Sequence, residues 1–510
     1  MPPIMSMQLN CQYPILLNLA NTREICVMDN TSSSVLNPTI ARTTASATPL
    51  SRGIPSTSVS SSFTTASSLT TALPRRHSIY GTGEDRIVLD IGSLYIKAGF
   101  SGESRPRHIV PVFAGNMKTH WDPDFNGSGG VVKACGEGCR IIGEFAELYD
   151  LEIGKNPDEL DALYDRLAHY LREIYFRYLL TDPKQRKVVL CESPMMPLKL
   201  KQLIAKVLFE NLQVPSISFA PSHMLALLTT GCTTGLVIDV GHLETTVLPT
   251  FSARPLTPFI RTTPLAGRAL TQRLKELISA YGSMIIPPST NLVPVHAKYL
   301  TPAVLEDIKT RFIFVSPITV EATVGVAEKT LVEDMEEKYA SVSSATDVSY
   351  PITLSKNGRE RQMGTLIIPS WIRERCAEVL FEGDEDESSI VGCALECLLK
   401  TPMHLRRPLF SSILLIGGTT LLPNFQQRFA QEVLRALNKD RRFKPLSGLA
   451  DHFEFLEDNG SGKVFVANCR AWVGGSLIGS LKSTVVEITR EKYTGEVPDW
   501  TTPNIPSAAS

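Results

Sequence analysis

No apolar run in this 510-residue chain approaches the roughly 20 residues that a membrane-spanning helix needs; Ser412–Ile416 and Met224–Leu228 are typical of what it offers. A surplus of either charge is also missing. Lys and Arg number 51 against 52 Asp and Glu, a net charge of −1, so nothing pulls the whole molecule toward nucleic acid or an anionic membrane. No basic cluster of nuclear-import type and no nucleic-acid motif is present. The N-terminus lacks a basic n-region, and Asn18 and Asn21 interrupt its only apolar stretch, Ile15–Leu19, which argues against a signal peptide. Without that export signal, the ten cysteines are expected to be reduced thiols. Cys135-Gly-Glu-Gly-Cys139 has the spacing of half a metal site. No second pair of convincing zinc spacing accompanies it, since Cys393 and Cys397 lie one turn apart in a helical segment, so core or loop cysteines are expected.

Apolar periodicity is absent from about residue 30 to 73, where Ser, Thr, Ala and Pro dominate. Such a composition does not repay the entropy of ordering, and residues 1–85 are expected to be a disordered tail. Arg23, Arg42, Arg52, Arg75 and Arg76 scatter through it as in an organellar transit peptide, but no amphipathic pattern joins them.

From Arg86 onward the chain is of a different kind. Ile87–Lys97 (IVLDIGSLYIK) and Leu236–Thr246 (LVIDVGHLETT) are two versions of one device: a β-branched strand ending in Asp, a Gly two residues on, and a second strand after a tight turn. A third strand, Ile413–Ile416, runs into Gly417-Gly418-Thr419-Thr420. Aspartates at strand ends can hold Mg²⁺ through its waters, and glycine turns let backbone N–H groups approach phosphate oxygens. Two such hairpins closed by a third turn make a nucleotide clamp between similar halves.

Around them the pattern alternates. Asn156-Pro157-Asp158-Glu159 opens an amphipathic helix whose stripe runs from Leu160 to Tyr178 and stops at Asp182-Pro183. Strands are expected at Val188–Cys191 and Pro215–Phe219, and helices at Leu198–Leu212 and Ser222–Thr230. In the second half, helices are expected at Gly267–Tyr281, Pro302–Phe314, Ile372–Phe381 and Ser388–Lys400, with Leu421–Leu437, Val464–Val466 and Ala471–Leu481 completing the core. Phe113–Cys139 and Glu333–Gly364 read as irregular, and Glu382–Glu387 as a solvated turn. The fold class is α/β, with mixed sheets flanked by helices.

With this order of motifs the chain resembles the actin-related proteins from Arg86 to Trp500. The matching segments are Asp90-Ile-Gly-Ser, Lys97 to Glu103 with Pro106-Arg107, Asp239-Val-Gly, Leu265 to Leu270, Asp307-Ile-Lys309, Gly417 to Pro423 and Trp472 to Leu477. Several stretches are most similar to the divergent pointed-end member of that family, a dynactin subunit: Val207 to Thr229, Val304 to Lys309, and Glu491 to Trp500.

The resemblance implies an actin-like fold of two lobes and four subdomains, the small lobe at 86–230 with 471–510 and the large lobe at 231–470. It implies ATP or ADP with Mg²⁺ in the cleft between them. Asp90 and Asp239 match the metal-associated aspartates, and Lys97 the phosphate-reaching lysine. Gly92, Ser93 and Gly241 match the phosphate turns, Gly417, Gly418 and Thr419 the nucleoside-side turn, and Gly267 and Lys309 positions bordering the adenosine.

The departures weigh as much. Leu94 stands where actin has Gly, His242-Leu243 where it has Asp-Gly, and Leu422 where an aromatic stacks on the base. Hydrolysis needs a side chain that orients water in line with the γ-phosphate. Ser222 and Thr246 occupy actin's Gln and His positions; a one-residue slip would put His223 in place of Ser222 and make it a second candidate, though it reads more simply as a structural histidine at a helix start. The regions corresponding to subdomains 2 and 4, actin's pointed-end face, are also unlike actin. The resemblance therefore implies a non-catalytic subunit capping the pointed end of dynactin's actin-like filament in the cytoplasm. Its expected partners are the filament and pointed-end subunits and, indirectly, dynein. A polymerising ATPase, a nuclear chromatin-remodelling subunit and a sugar or acetate kinase of the same superfold are the alternatives.

Overall fold

The computed structural model describes residues 86–114, 144–145, 147–153, 157–318, 347–354, 363–383, 386–456, 465–481 and 486–499. The Ser/Thr-rich tail, Cys135, Cys139, Asn156 and Val464 lie outside them, as do most of Phe113–Cys139 and part of Glu333–Gly364.

Ile87–Ile91 is apolar at every position but Asp90, the pattern of a strand covered on both faces. It lies inside a six-stranded mixed sheet. The order is Val486–Thr489, Ser216–Pro221, Val188–Glu192, Ile87–Ile91, Tyr95–Phe100, His108–Pro111. Its hairpin partner is antiparallel, and Val188–Glu192 runs parallel on its other side. Alternate residues face opposite ways. Ile87, Leu89 and Ile91 join Leu163, Leu167 and Leu171 of the helix Pro157–Glu173, whereas Val88 meets Trp472 and Val473 of the helix Arg470–Leu481. Trp472 is fully buried and donates its indole N–H to the Val88 carbonyl at 3.0 Å.

The second half builds the same unit again. Gly235–Val240 pairs antiparallel with Thr245–Phe251 and parallel with Ile413–Ile416. Its core forms against the helices Gly267–Tyr281, Pro302–Phe312, Ile390–Lys400 and Phe425–Lys439. The chain's return to the first half is tight. Helix Arg470–Leu481 crosses Ser222–Leu228 at Gly474, where a Cβ would stand 2.0 Å from the Leu225 carbonyl oxygen.

The expected helices and strands are present with boundaries shifted by a few residues, but of Val464–Val466, expected in the core, Phe465 is partly buried and Val466 is exposed. The stripe from Leu160 to Tyr178 divides into the helix Pro157–Glu173 and a π turn over Ile174–Tyr178, and Leu198–Leu212 divides in the same way at Val207. One expectation needs correction. Within Glu333–Gly364, which reads as irregular, Val348–Thr353 is a strand, and Gly364 belongs to a second strand, Met363–Ile368. Both belong to a four-stranded antiparallel sheet ordered Leu292–Pro294, Ser283–Ile285, Met363–Ile368, Val348–Thr353. Val348, Tyr350 and Ile352 alternate as a strand should, but Pro351 masks the pattern; the ladder accommodates it because this is an edge strand. The helix Met403–Phe410 and the strand Val486–Thr489 were not foreseen.

Candidate functional site

The hairpin register sets the first contact. Asp90 and Lys97 are directly opposed across the first hairpin, and Lys97 Nζ donates to Asp90 Oδ2 at 2.7 Å. Burial works to lower the Lys97 ammonium, but the charge and hydrogen bond of Asp90 outweigh it, and its pKa ends above the ordinary value. Asp239 ends the equivalent strand. Burial raises its carboxyl, and the charges of His223 and Lys97 offset this only in part. The two aspartates and Lys97 therefore share one field.

Three glycine turns and a helix start gather beside them. Gly92 N–H donates to the Tyr95 carbonyl at 3.0 Å, and Gly241 N–H to that of Glu244 at 3.2 Å, closing the two hairpin turns. The Gly241 carbonyl in turn accepts from Thr419 Oγ1 at 2.8 Å and from Gly267 N–H at 3.1 Å. The second turn, the third turn and the helix Gly267–Tyr281 thus meet at one peptide. Gly417 lies in the left-handed region with φ +96°, and a Cβ there would fall 2.3 Å from the Val240 carbonyl oxygen and 2.6 Å from Asp239 Oδ1. Gly418 has nothing within 4 Å of where its Cβ would be, so this turn presents bare backbone to open space. Lys309 stands against the same helix, bonded to Thr271 Oγ1 at 3.0 Å and paired with Glu306 at 2.5 Å. Ser93 is buried, and its carbonyl accepts from Leu148 N–H at 2.7 Å.

That last bond introduces residues that no motif announced. Glu147 reaches from the first half to two groups of the second. Its Oε1 accepts from His242 Nε2 at 2.7 Å, and its carboxylate takes Arg268 Nε at 2.8 Å and Nη2 at 2.5 Å. Asp150 adds a contact to Arg268 at 3.3 Å. Burial pushes the Glu147 carboxyl up, but the hydrogen bonds from His242 and Arg268 outweigh this and bring it down to about 2. Burial holds His242 below its usual value, so the imidazole is neutral at neutral pH. With Nε2 donating, Nδ1 is a buried acceptor with no partner among the described residues. Tyr149 and Glu244 complete the surroundings. Burial and the charges of Asp90, Glu244 and Asp239 raise the Tyr149 phenol. Burial, with a smaller contribution from Asp239, lifts Glu244 to about 7 against a hydrogen bond to Thr246. Arg268 falls inside the Leu265–Leu270 motif and was within reach of sequence reasoning; Glu147, in a segment without periodicity, was not.

Ser222 and Thr246 are both buried. His223 is fully buried, with Nε2 at 3.2 Å from the Thr246 carbonyl and Nδ1 at 3.2 Å from Ser222 Oγ, and burial lowers its pKa. Both ring nitrogens are occupied within the protein, as a structural histidine requires. Leu94 and Leu243, the bulky replacements in the two turns, are buried. Leu422, half-buried, packs against the core of the second half. The described cysteines Cys191, Cys232, Cys376, Cys393, Cys397 and Cys469 are free thiols. No helix among the described residues is long and apolar enough to cross a membrane.

The actin family profile matches residues 81–502. A relative, actin-related protein 10 from Dictyostelium discoideum, is 26% identical over 459 residues, covering 81% of this chain and 88% of that protein.

Proposed function

The chain belongs to the actin family, and from that premise we propose that it is a non-catalytic, actin-related subunit that caps the pointed end of dynactin's short actin-like filament and anchors its neighbours there. Residues 86–230 with 471–510 are the small lobe of this reading and 231–470 the large lobe. The cap is supported by the likeness to actin-related protein 10 over most of the chain, together with the stretches Val207 to Thr229, Val304 to Lys309 and Glu491 to Trp500. A subunit that keeps one filament interface and alters the opposite one joins an end and admits nothing beyond it.

Nucleotide in this reading is a structural ligand. The donor set fits it: two strand-end aspartates, a lysine bonded to one of them and in the field of both, and a glycine turn open at Gly418. Asp90 and Asp239 would hold Mg²⁺ through its waters, because no cluster of three or more His, Cys, Asp or Glu among the described residues is arranged to hold a bare ion. Lys97 would pass from Asp90 to the phosphates, with Gly92, Ser93 and Gly241 beneath them. Gly267, Lys309, Gly417, Gly418 and Thr419 would border the nucleoside. The bound group supplies a charged wedge that both halves grip; this chain's own residues hold it and move no proton.

The observation that carries the non-catalytic part is His223. It stands one residue from Ser222, the position that the resemblance matches to the water-orienting Gln, and both its nitrogens are committed to Thr246 and Ser222. The test is to denature the purified full-length chain, measure the nucleotide it releases, and follow ATP turnover by the native protein. About one nucleotide per chain, Mg²⁺-dependent retention and negligible turnover are expected. Sustained hydrolysis would contradict this reading, and so would a cleft that retains no nucleotide in excess Mg²⁺.

A further inference from the structure

The four-stranded sheet that the sequence concealed has one face in the core and one outside. Met284, Leu366, Ile368 and Ile352 are buried on the inner face. By register, Leu292, Ile285, Thr365 and Pro351 form one outward row, and Pro294, Ser283, Ile367 and Ser349 the next. Met363 and Thr353 extend it. A sheet with one wet face normally carries polar and charged residues there. Here no outward position of the four strands is ionisable, and only Ser and Thr separate the apolar side chains. Leu292 is 63% exposed and Met363 47% exposed. A charge-free apolar centre is the composition of an interface core.

We infer that this face docks a different protein, one that presents an uncharged apolar surface to it. Three features select that occupant. The absence of charge makes an acidic or basic partner a poor complement, since its ions would be desolvated without a counter-ion. Both edge strands carry proline, Pro294 and Pro351, which removes N–H donors from the edges and favours contact through the face over strand addition. Four strands spaced about 4.8 Å apart, with about 3.3 Å per residue, give a face of about 200–300 Å². That is well below the roughly 800 Å² per partner of a stable interface, so the face suits the centre of a larger contact and not a free-standing homodimer. The inference rests on the reading of this chain as a subunit of a larger particle, and not on the cleft chemistry.

Methionine oxidation supplies the test, with Met363 as reporter and Met284, 1% exposed on the opposite face, as internal control. The recombinant full-length chain and the native particle isolated from cells are exposed to dilute hydrogen peroxide, and sulfoxide at each site is followed by mass. In the isolated chain Met363 should oxidise readily and Met284 should not. In the native particle Met363 should oxidise at least about tenfold more slowly, equally in low and high salt. The double variant Leu292→Lys/Met363→Lys, both changes at exposed positions, should fold normally yet be missing from the particle. Equal Met363 oxidation in both samples would overturn the inference, as would protection that vanishes in high salt. Protection already present in the isolated chain would also overturn it, by assigning the face to a second copy if it grows with concentration and to the chain itself if it does not.

Discussion

Glu147 binds two residues from the other half of the chain at once, and their hydrogen bonds bring its carboxyl down to about 2 against the effect of burial. In a two-lobed protein, nucleotide phosphates ordinarily gain by touching both halves. Here a carboxylate of the first half already bonds His242 and Arg268 of the second, so part of what holds the halves together is built into the polypeptide. Replacing Glu147 with Gln keeps the shape and removes the charge. At pH 7 a loss of about 1–2 kcal/mol of stability is expected, a value reduced for the exposure of Arg268. The pH dependence has a definite sign. The folded pKa of about 2 lies below the ordinary 4.5, so the stabilisation is complete above 4.5 and fades as pH falls toward 2. Denaturant unfolding of wild type and variant should therefore differ at pH 6–8 and converge near pH 2–3. A gap that persists in acid would assign the effect to packing. At this scale the sequence disclosed what lies in motifs: the Asp90–Lys97 contact follows from hairpin register alone. It concealed Glu147 and Tyr149, whose segment joins the site through tertiary contact and leaves no periodic trace.

Among the elements, the turns are the most exacting. Gly417 and Gly418 are adjacent, yet they meet opposite surroundings. An alanine at 417 combines a left-handed backbone with a Cβ inside the Val240 carbonyl, and should cost about 3 kcal/mol or more. At Gly418 the backbone is helical and the space open, so alanine should change stability by less than about 1 kcal/mol while placing a methyl group where bare backbone faced the cleft. Thermal unfolding of Gly417→Ala and Gly418→Ala, measured with and without Mg-ATP, checks this. The second variant should keep its melting temperature without nucleotide and lose some of the rise that nucleotide confers; equal melting temperatures for both variants would contradict the assignment. Helices and central strands were legible because continuous apolar runs and 3.6-residue stripes survive in sequence. Two strands of the four-stranded sheet were not. The edge strand Val348–Thr353 carries Pro351, and the inner strand Met363–Ile368 carries Gly364 where Leu354 approaches closely; both residues argue against a strand in sequence.

At the scale of the whole molecule, one architectural unit is used twice. A hairpin's first strand pairs in parallel with a later strand, once around Asp90 and once around Asp239. That repetition was readable at once, because both copies keep the strand–Asp–x–Gly order. The proposed reading of what the molecule does with it rests on the balance of retained and altered parts: aspartates and lysine kept, turn residues exchanged, His223 buried, and a sheet face without ionisable side chains on its four strands. These are the features expected of a subunit held in an assembly. The most direct measurement is quantitative mass spectrometry of what accompanies the native protein when it is isolated from cells under mild conditions. The account predicts a fixed set of dynactin subunits, with one copy of this chain for each short filament of the actin-like protein. Recovery with a chromatin-remodelling complex, in many copies along a filament, or as a free protein that turns over ATP would contradict it.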